Sequence, residues 1–253
     1  MDRHPLFFTY LWIAPHVFQV ALAVMMFRRK LVREFPAFFV YTLFEVVQFG
    51  VLYAMNRTAA ISGQQYTAAW LVGGAGSIAL RFAVVHEIFS RVFRSYPALK
   101  DFGELLFRWA TAVLLLVAVV LVAWASGSET DRLTMAYTVV GRAVSIMQGG
   151  LLVLLILLSR FLSFPWRSYV FGIALGVGFF ASVELGVSAI RSHVGLGISR
   201  EFFDMVTMAT YHCCVLFWIV TLLLPQQETA RVTSVPDHNL DHWNHALQRL
   251  LNQ

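Results

Sequence analysis

Apolar runs of roughly 20 residues recur down this chain, and about 20 apolar residues in a helix span the hydrocarbon core of a bilayer. Seven such runs are read, at about 6–27, 37–55, 68–90, 109–126, 135–160, 169–190 and 203–224. Each must be helical, because lipid offers no partner for a free backbone amide or carbonyl. With their loops they consume nearly all of the 253 residues, so no sizeable soluble domain fits. Only 13% of residues are charged, against roughly 25% in an average soluble domain, too few to cover a water-soluble globule. The expected fold is an all-α membrane protein, a seven-transmembrane-helix bundle. Its short loops predict antiparallel neighbours in up-and-down order.

The charges predict an orientation. Arg28, Arg29, Lys30 and Arg33 occupy the first loop, and Arg91, Arg94, Lys100 and Arg108 the third. Arg160 and Arg167 flank the fifth, and Arg231 and Arg249 lie in the tail. That is twelve basic residues on one side, against five on the other: Arg3, Arg57, Arg132, Arg191 and Arg200. The positive-inside rule then places the N-terminus outside and the C-terminal tail in the cytoplasm. The same pattern reads the net charge of +5 as a membrane signal and excludes a nucleic-acid partner. The first run ends at Arg28-Arg29-Lys30, a stop-transfer pattern, and lacks a small-residue cleavage site. It is expected to persist as a span. Asn56-Arg57-Thr58 is a glycosylation sequon by pattern and falls in an outer loop.

Small residues mark expected helix contacts: Gly73, Gly74 and Gly76, then Gly149-Gly150, then the spaced pair Gly172 and Gly176. Cys213 and Cys214 are adjacent within the last span and are read as small packing residues, not a disulfide. In the tail, residues 226–253, Leu240, Trp243, Leu247, Leu250 and Leu251 share one face at helical spacing. His238, His242 and His245 share the other. This predicts a short amphipathic helix over about 237–251, lying at the cytoplasmic interface or offering a surface to a partner.

Ionisable side chains are costly inside a membrane unless they face the bundle interior and find partners. His16 and Gln19 lie one turn apart in the first span, with Trp12 on the same face. Tyr41, Glu45 and Gln48 share a face of the second. Ser77 and Arg81 share a face of the third, which ends with His86 and Glu87. The fifth brings Arg142 and Gln148, and the sixth Glu184 and Ser188. In the seventh, Asp204, Thr207, Tyr211, Cys214 and Trp218 form a stripe with His212 beside it. If these faces converge, they form a polar chamber open towards the outside. Depth alone pairs Glu184 with Arg142 and Glu45 with Arg81, and helical spacing pairs Glu87 with Arg91. The charges serve either as ion pairs that fix helix register or as a ligand or proton site. His16 and His212 are hydrogen-bonded core histidines or, alternatively, a pair of haem or metal ligands.

Several families are excluded. Retinal needs an intramembrane lysine, and Lys30 and Lys100 both fall in loops. The third span ends Glu87-Ile88-Phe89-Ser90-Arg91, without an acid-Arg-Tyr triplet. The seventh ends Leu222-Leu223-Leu224-Pro225, without Asn-Pro-x-x-Tyr, so the signatures of G-protein-coupled receptors are missing. No HExxH, GxSxG, P-loop or CxxC motif occurs. Arg81 to Arg94 (RFAVVHEIFSRVFR) followed by Tyr96-Pro97-Ala98-Leu99, Gln148-Gly149-Gly150-Leu151-Leu152, Trp166-Arg167, Phe171-Gly172-Ile173-Ala174 and Ser182-Val183-Glu184-Leu185 carry a resemblance. The chain resembles a group of uncharacterised bacterial seven-helix membrane proteins over most of its length. That resemblance implies the architecture and a bacterial inner membrane, and no activity.

The leading functional expectation is a sensor or receptor-like module that binds a small ligand in the chamber, with candidate residues His16, Glu45, Gln48, Arg81, Arg142, Gln148, Glu184, Asp204, Tyr211 and His212. A sensor role calls for a partner, reached through the tail. The alternative is a proton-coupled small-solute transporter, since intramembrane Glu, His and Arg serve proton relays. A haem- or metal-bearing protein through His16 and His212 comes third. An intramembrane hydrolase comes last, for want of a nucleophile paired with a base.

Overall fold

The computed structural model describes residues 5–58, 61–92, 129–161, 169–194 and 200–224, with scattered positions between 105 and 123. Six long helices account for nearly all of them: α1 (Pro5–Arg28), α2 (Pro36–Arg57), α3 (Gly63–Val92), α4 (Glu129–Phe161), α5 (Tyr169–Val194) and α6 (Arg200–Leu223). All six are long and apolar enough to cross a membrane. Most run a few residues past the apolar stretches, because helix continues into the headgroup region where polar side chains are tolerated. Of the predicted fourth span, 109–126, only 109–113, 116, 117, 119, 120 and 123 are described, and those are helical. The predicted tail helix, 237–251, lies outside the described residues.

The outer surface is apolar. Phe27 is 71% exposed and Val72 75%. Soluble monomers rarely leave contiguous surface of this kind uncovered, whereas acyl chains solvate it. The molecule therefore has the build of a multi-pass membrane protein.

The helices close into a ring in which α1 packs on α2, α2 on α3, α3 on α4, α4 on α5, α5 on α6, and α6 back on α1. Touching residues give the directions. Between α2 and α3, a side chain at Gly73 would strike Gln48 and one at Gly76 would strike Phe44, so numbers fall on one helix as they rise on the other. The pair is antiparallel. So are α4 and α5, where Gly178 receives Leu152 and Gly149 faces Ser182. So are α5 and α6, where Gly172 seats Thr221 and Gly176 seats the Trp218 indole. In each case the missing Cβ lets a neighbour's side chain reach the helix backbone. Gly150, expected at a contact, meets nothing within 4 Å.

Two neighbouring pairs run parallel. Along α3 and α4, Gly74 meets Tyr137, Ile78 meets Gly141, and Arg81 reaches Ser145 and Gln148. Along α1 and α6, Gln19 meets Tyr211, and Arg29 Nη1 donates to Leu222 O at 2.6 Å. That last bond also covers a carbonyl that the end of α6 leaves open.

One end of the ring is solid. Leu22, Met26, Phe35, Phe38, Val84, Val85, Ile88, Ile173, Val215, Trp218 and Leu222 are all buried in one cluster. This is the end that carries Arg28, Arg29, Lys30, Arg33 and Arg91. Lys30, at φ 59°, turns the chain from α1 into the short 3-10 turn Leu31–Arg33. Pro36 then starts α2, at a position where its missing N–H costs nothing. The open amides of Ala37 and Phe38 donate to the two Glu87 carboxylate oxygens at 3.2 and 3.1 Å. The expected pairing of Glu87 with Arg91 gives way to this cap. Two amides at a helix N-terminus hold a carboxylate more specifically than one flexible guanidinium. Arg91 lies over the Phe35 ring instead, 4.4 Å from its centroid.

Candidate functional site

The opposite half of the ring is hollow. A cavity of about 400 Å³ lies between the helices. α1 contributes Trp12, Pro15 and His16; α2 contributes Tyr41, Glu45 and Gln48; α3 contributes Trp70, Ser77 and Arg81. Tyr137 of α4, Phe180 and Glu184 of α5, and Thr207 and Tyr211 of α6 complete the wall. The small residues of α3 make room for these side chains, since any Cβ at Gly74 would collide with the Tyr137 ring.

Arg81 is the electrostatic centre. Its Nη2 donates to Glu184 Oε2 at 2.6 Å, to Gln148 Oε1 at 3.0 Å and to Ser145 Oγ at 3.1 Å, and its Nη1 approaches Glu184 Oε1 at 3.4 Å. Ser145 Oγ in turn donates to Glu184 Oε2 at 2.8 Å. The guanidinium also lies 5.7 Å from the Phe180 ring centroid. Five fixed donors in a low-dielectric setting need several acceptors at once, and this network supplies them.

The pairings expected from depth do not form. Glu184 pairs with Arg81, not Arg142. Arg142 is exposed and borders a smaller adjoining cavity of about 150 Å³, into which Glu184 also faces. Glu45 accepts a hydrogen bond from the Ser77 hydroxyl and has no ion-pair partner among the described residues. The physical reason is reach. Arg81 extends away from α2 towards α4 and α5, where three acceptors converge, whereas α2 offers a single carboxylate.

A second polar chain links α1 to α6. His16 Nδ1 and Gln19 Oε1 share a hydrogen bond at 2.9 Å, and Gln19 Nε2 donates to the Tyr211 hydroxyl. The His16 ring stacks on Phe49 at 4.0 Å, with its plane 13° from parallel.

Of the expected site residues, His16, Glu45, Gln48, Arg81, Glu184 and Tyr211 line the cavity. Gln148 lies behind the wall as a buried support for Arg81. Three fall elsewhere. Asp204 pairs with Arg191 near the end of the bundle. Arg142 faces the side cavity. His212 is buried behind the wall, with Tyr10 OH 3.3 Å from its Nε2 and Phe18 edge-on to its ring. His16 and His212 thus have separate surroundings, and no group of three or more His, Cys, Asp or Glu is placed to hold a metal among the described residues.

Two kinds of functional residue escape a search for charge. Ser145 bridges Arg81 and Glu184, and its signal was its place one turn before Gln148 on the same face. The rings of Trp70, Tyr137 and Phe180 look like ordinary lipid-facing or core aromatics until the ring of helices closes. Comparison with family models, with curated proteins and with solved structures gives no match.

Proposed function

We propose that this is a seven-span protein of a bacterial inner membrane, with its N-terminus outside, that binds a small ligand in the chamber as a sensor or receptor-like module. The observation that carries the ligand reading is the hollow itself. A space of about 400 Å³ walled by polar side chains from all six described helices lies inside a bundle whose other half is tightly packed. Small-molecule sites fall in the range of about 300–1,000 Å³ and combine apolar walls with a few convergent polar groups.

The seventh crossing draws support from direction. α3 and α4 run parallel, so the last residue of α3 lies at the solid end of the ring and the first residue of α4 at the hollow end. The apolar stretch 109–126 lies between them in sequence, and its described side chains Trp109, Val113 and Leu116 are exposed. The orientation draws support from charge. The solid end carries the basic cluster of Arg28, Arg29, Lys30, Arg33 and Arg91, which the positive-inside rule places in the cytoplasm. The chamber then opens outward. The resemblance to bacterial seven-helix proteins motivates the inner membrane.

Labelling tests both parts of this reading. With Cys213→Ser and Cys214→Ala as background, Thr207→Cys introduces a single thiol in the chamber wall. A membrane-impermeant maleimide is expected to label it in intact cells. Labelling only after permeabilisation reverses the orientation. Labelling under neither condition means that the chamber is closed to water and removes the binding reading.

A further inference from the structure

We infer that the chamber takes a small organic cation, a protonated or quaternary amine with an apolar body. This deepens the binding reading above and rests on it.

The inference starts from a carboxyl without a mate. The cavity wall holds two carboxyl groups, Glu45 and Glu184, and one guanidinium, Arg81. Arg81 is committed to Glu184, and its remaining bonds go to Ser145 and Gln148. Glu45 is left with the Ser77 hydroxyl. Arg142, the next cationic side chain along α4, faces the side cavity. A buried carboxylate without an ion-pair partner is costly, and either a proton or a bound cation removes that cost; only the cation makes use of the space beside it.

The walls point the same way. Six aromatic rings border the space: Trp12, Tyr41, Trp70, Tyr137, Phe180 and Tyr211. Aromatic faces carry negative electrostatic potential, and rings around a carboxylate are the usual surroundings of a bound ammonium group. Arg81 already uses the Phe180 ring in this manner. An anionic ligand would meet an excess of carboxylate. A neutral one would gain nothing from the charge of Glu45, which a proton could then cancel. An ammonium group meets a carboxylate and aromatic rings together.

The test uses the full chain in lipid nanodiscs, with choline and phenethylammonium as probes. Their uncharged counterparts of like shape, 3,3-dimethylbutan-1-ol and 2-phenylethanol, and the anion benzoate serve as comparisons. Binding is read from tryptophan fluorescence, since Trp12 and Trp70 border the cavity, and from the shift in Tm. At least one cation is expected to bind tenfold or more tightly than its uncharged counterpart, and Glu45→Gln is expected to erase that difference. Equal binding of cation and counterpart, or preferred binding of benzoate, overturns the cation assignment and leaves the chamber as a ligand site of another class. No response to any probe, in a protein whose Thr207→Cys variant is labelled from outside, overturns the cation assignment alone. If that thiol is also unreactive, both readings fall. The comparison of each cation with its counterpart needs no variant, so it stands even if Glu45→Gln does not fold.

Discussion

The two halves of this bundle use the same helices for opposite ends. Below Arg81, α3 presents Val84, Val85, Ile88 and Val92, each buried against aliphatic and aromatic neighbours. Above it, the same helix presents Ser77, Gly74 and Trp70 to an open space. The solid half depends on shape, with a buried apolar cluster at its centre and glycines letting Trp218 and Thr221 press against α5. The hollow half depends on polar bonds, because few atoms span it. Shape tolerates the loss of one hydrogen bond, whereas a polar network tolerates the loss of one methyl group. That difference sets what each substitution should cost.

The largest expected effect lies in the solid half. Trp218 is 2% exposed, packs edge-on to Phe38 and donates to the Ile173 carbonyl at 3.3 Å. Trp218→Ala should lower stability by about 3–5 kcal/mol, measured by reversible unfolding in mixed micelles, and no chamber ligand should restore it. Next comes the centre of the network. Arg81→Met strands Glu184, Ser145 and Gln148 and should cost about 2 kcal/mol, less than for a fully buried pair because the Glu184 side chain is 37% exposed. Adding Glu184→Met should recover most of that loss. If the double variant is no better than the single one, the bundle is held by the network's geometry and not by charge balance.

Smaller effects sharpen the contrast. Glu87→Ala removes the carboxylate that holds the amides of Ala37 and Phe38 and should cost about 1 kcal/mol, as loss of a helix cap does. Tyr211→Phe breaks the bond from Gln19 and should cost about 0.6 kcal/mol, the average for interhelical bonds in membranes. Both are checked by the same unfolding measurement. A Tyr211→Phe loss as large as that of Trp218→Ala would erase the distinction between the halves.

The helices and their approximate ends were legible because hydrophobic run length reports directly on bilayer thickness. The shared faces of His16 with Gln19 and of Glu45 with Gln48 were legible because helical spacing fixes them. Partner choice was not. Depth ranked Arg142 beside Glu184, yet depth says nothing about which way a residue points around its helix, and Arg142 turns to the side cavity while Ser145, one turn on, turns inward. Nor does sequence show that α4 lies against α3, which is what lets Arg81 reach across to Gln148 and Glu184. The acceptor count was the better guide. A buried guanidinium needs more partners than one carboxylate provides, and Ser145 with Gln148 offered them.

The parallel packing of α3 against α4 bears on how the chain is made. Arg81 meets Ser145, Gln148 and Glu184 at separations of 64, 67 and 103 residues. At synthesis rates of about 5–20 residues per second, the last of these leaves the ribosome roughly 5–20 s after Arg81. Throughout that interval the third segment has a guanidinium without the acid it pairs with in the finished bundle, Glu184. The bonds that satisfy Arg81 thus form only once α5 has been made, so the order of translation bears on when the third helix can take its final place.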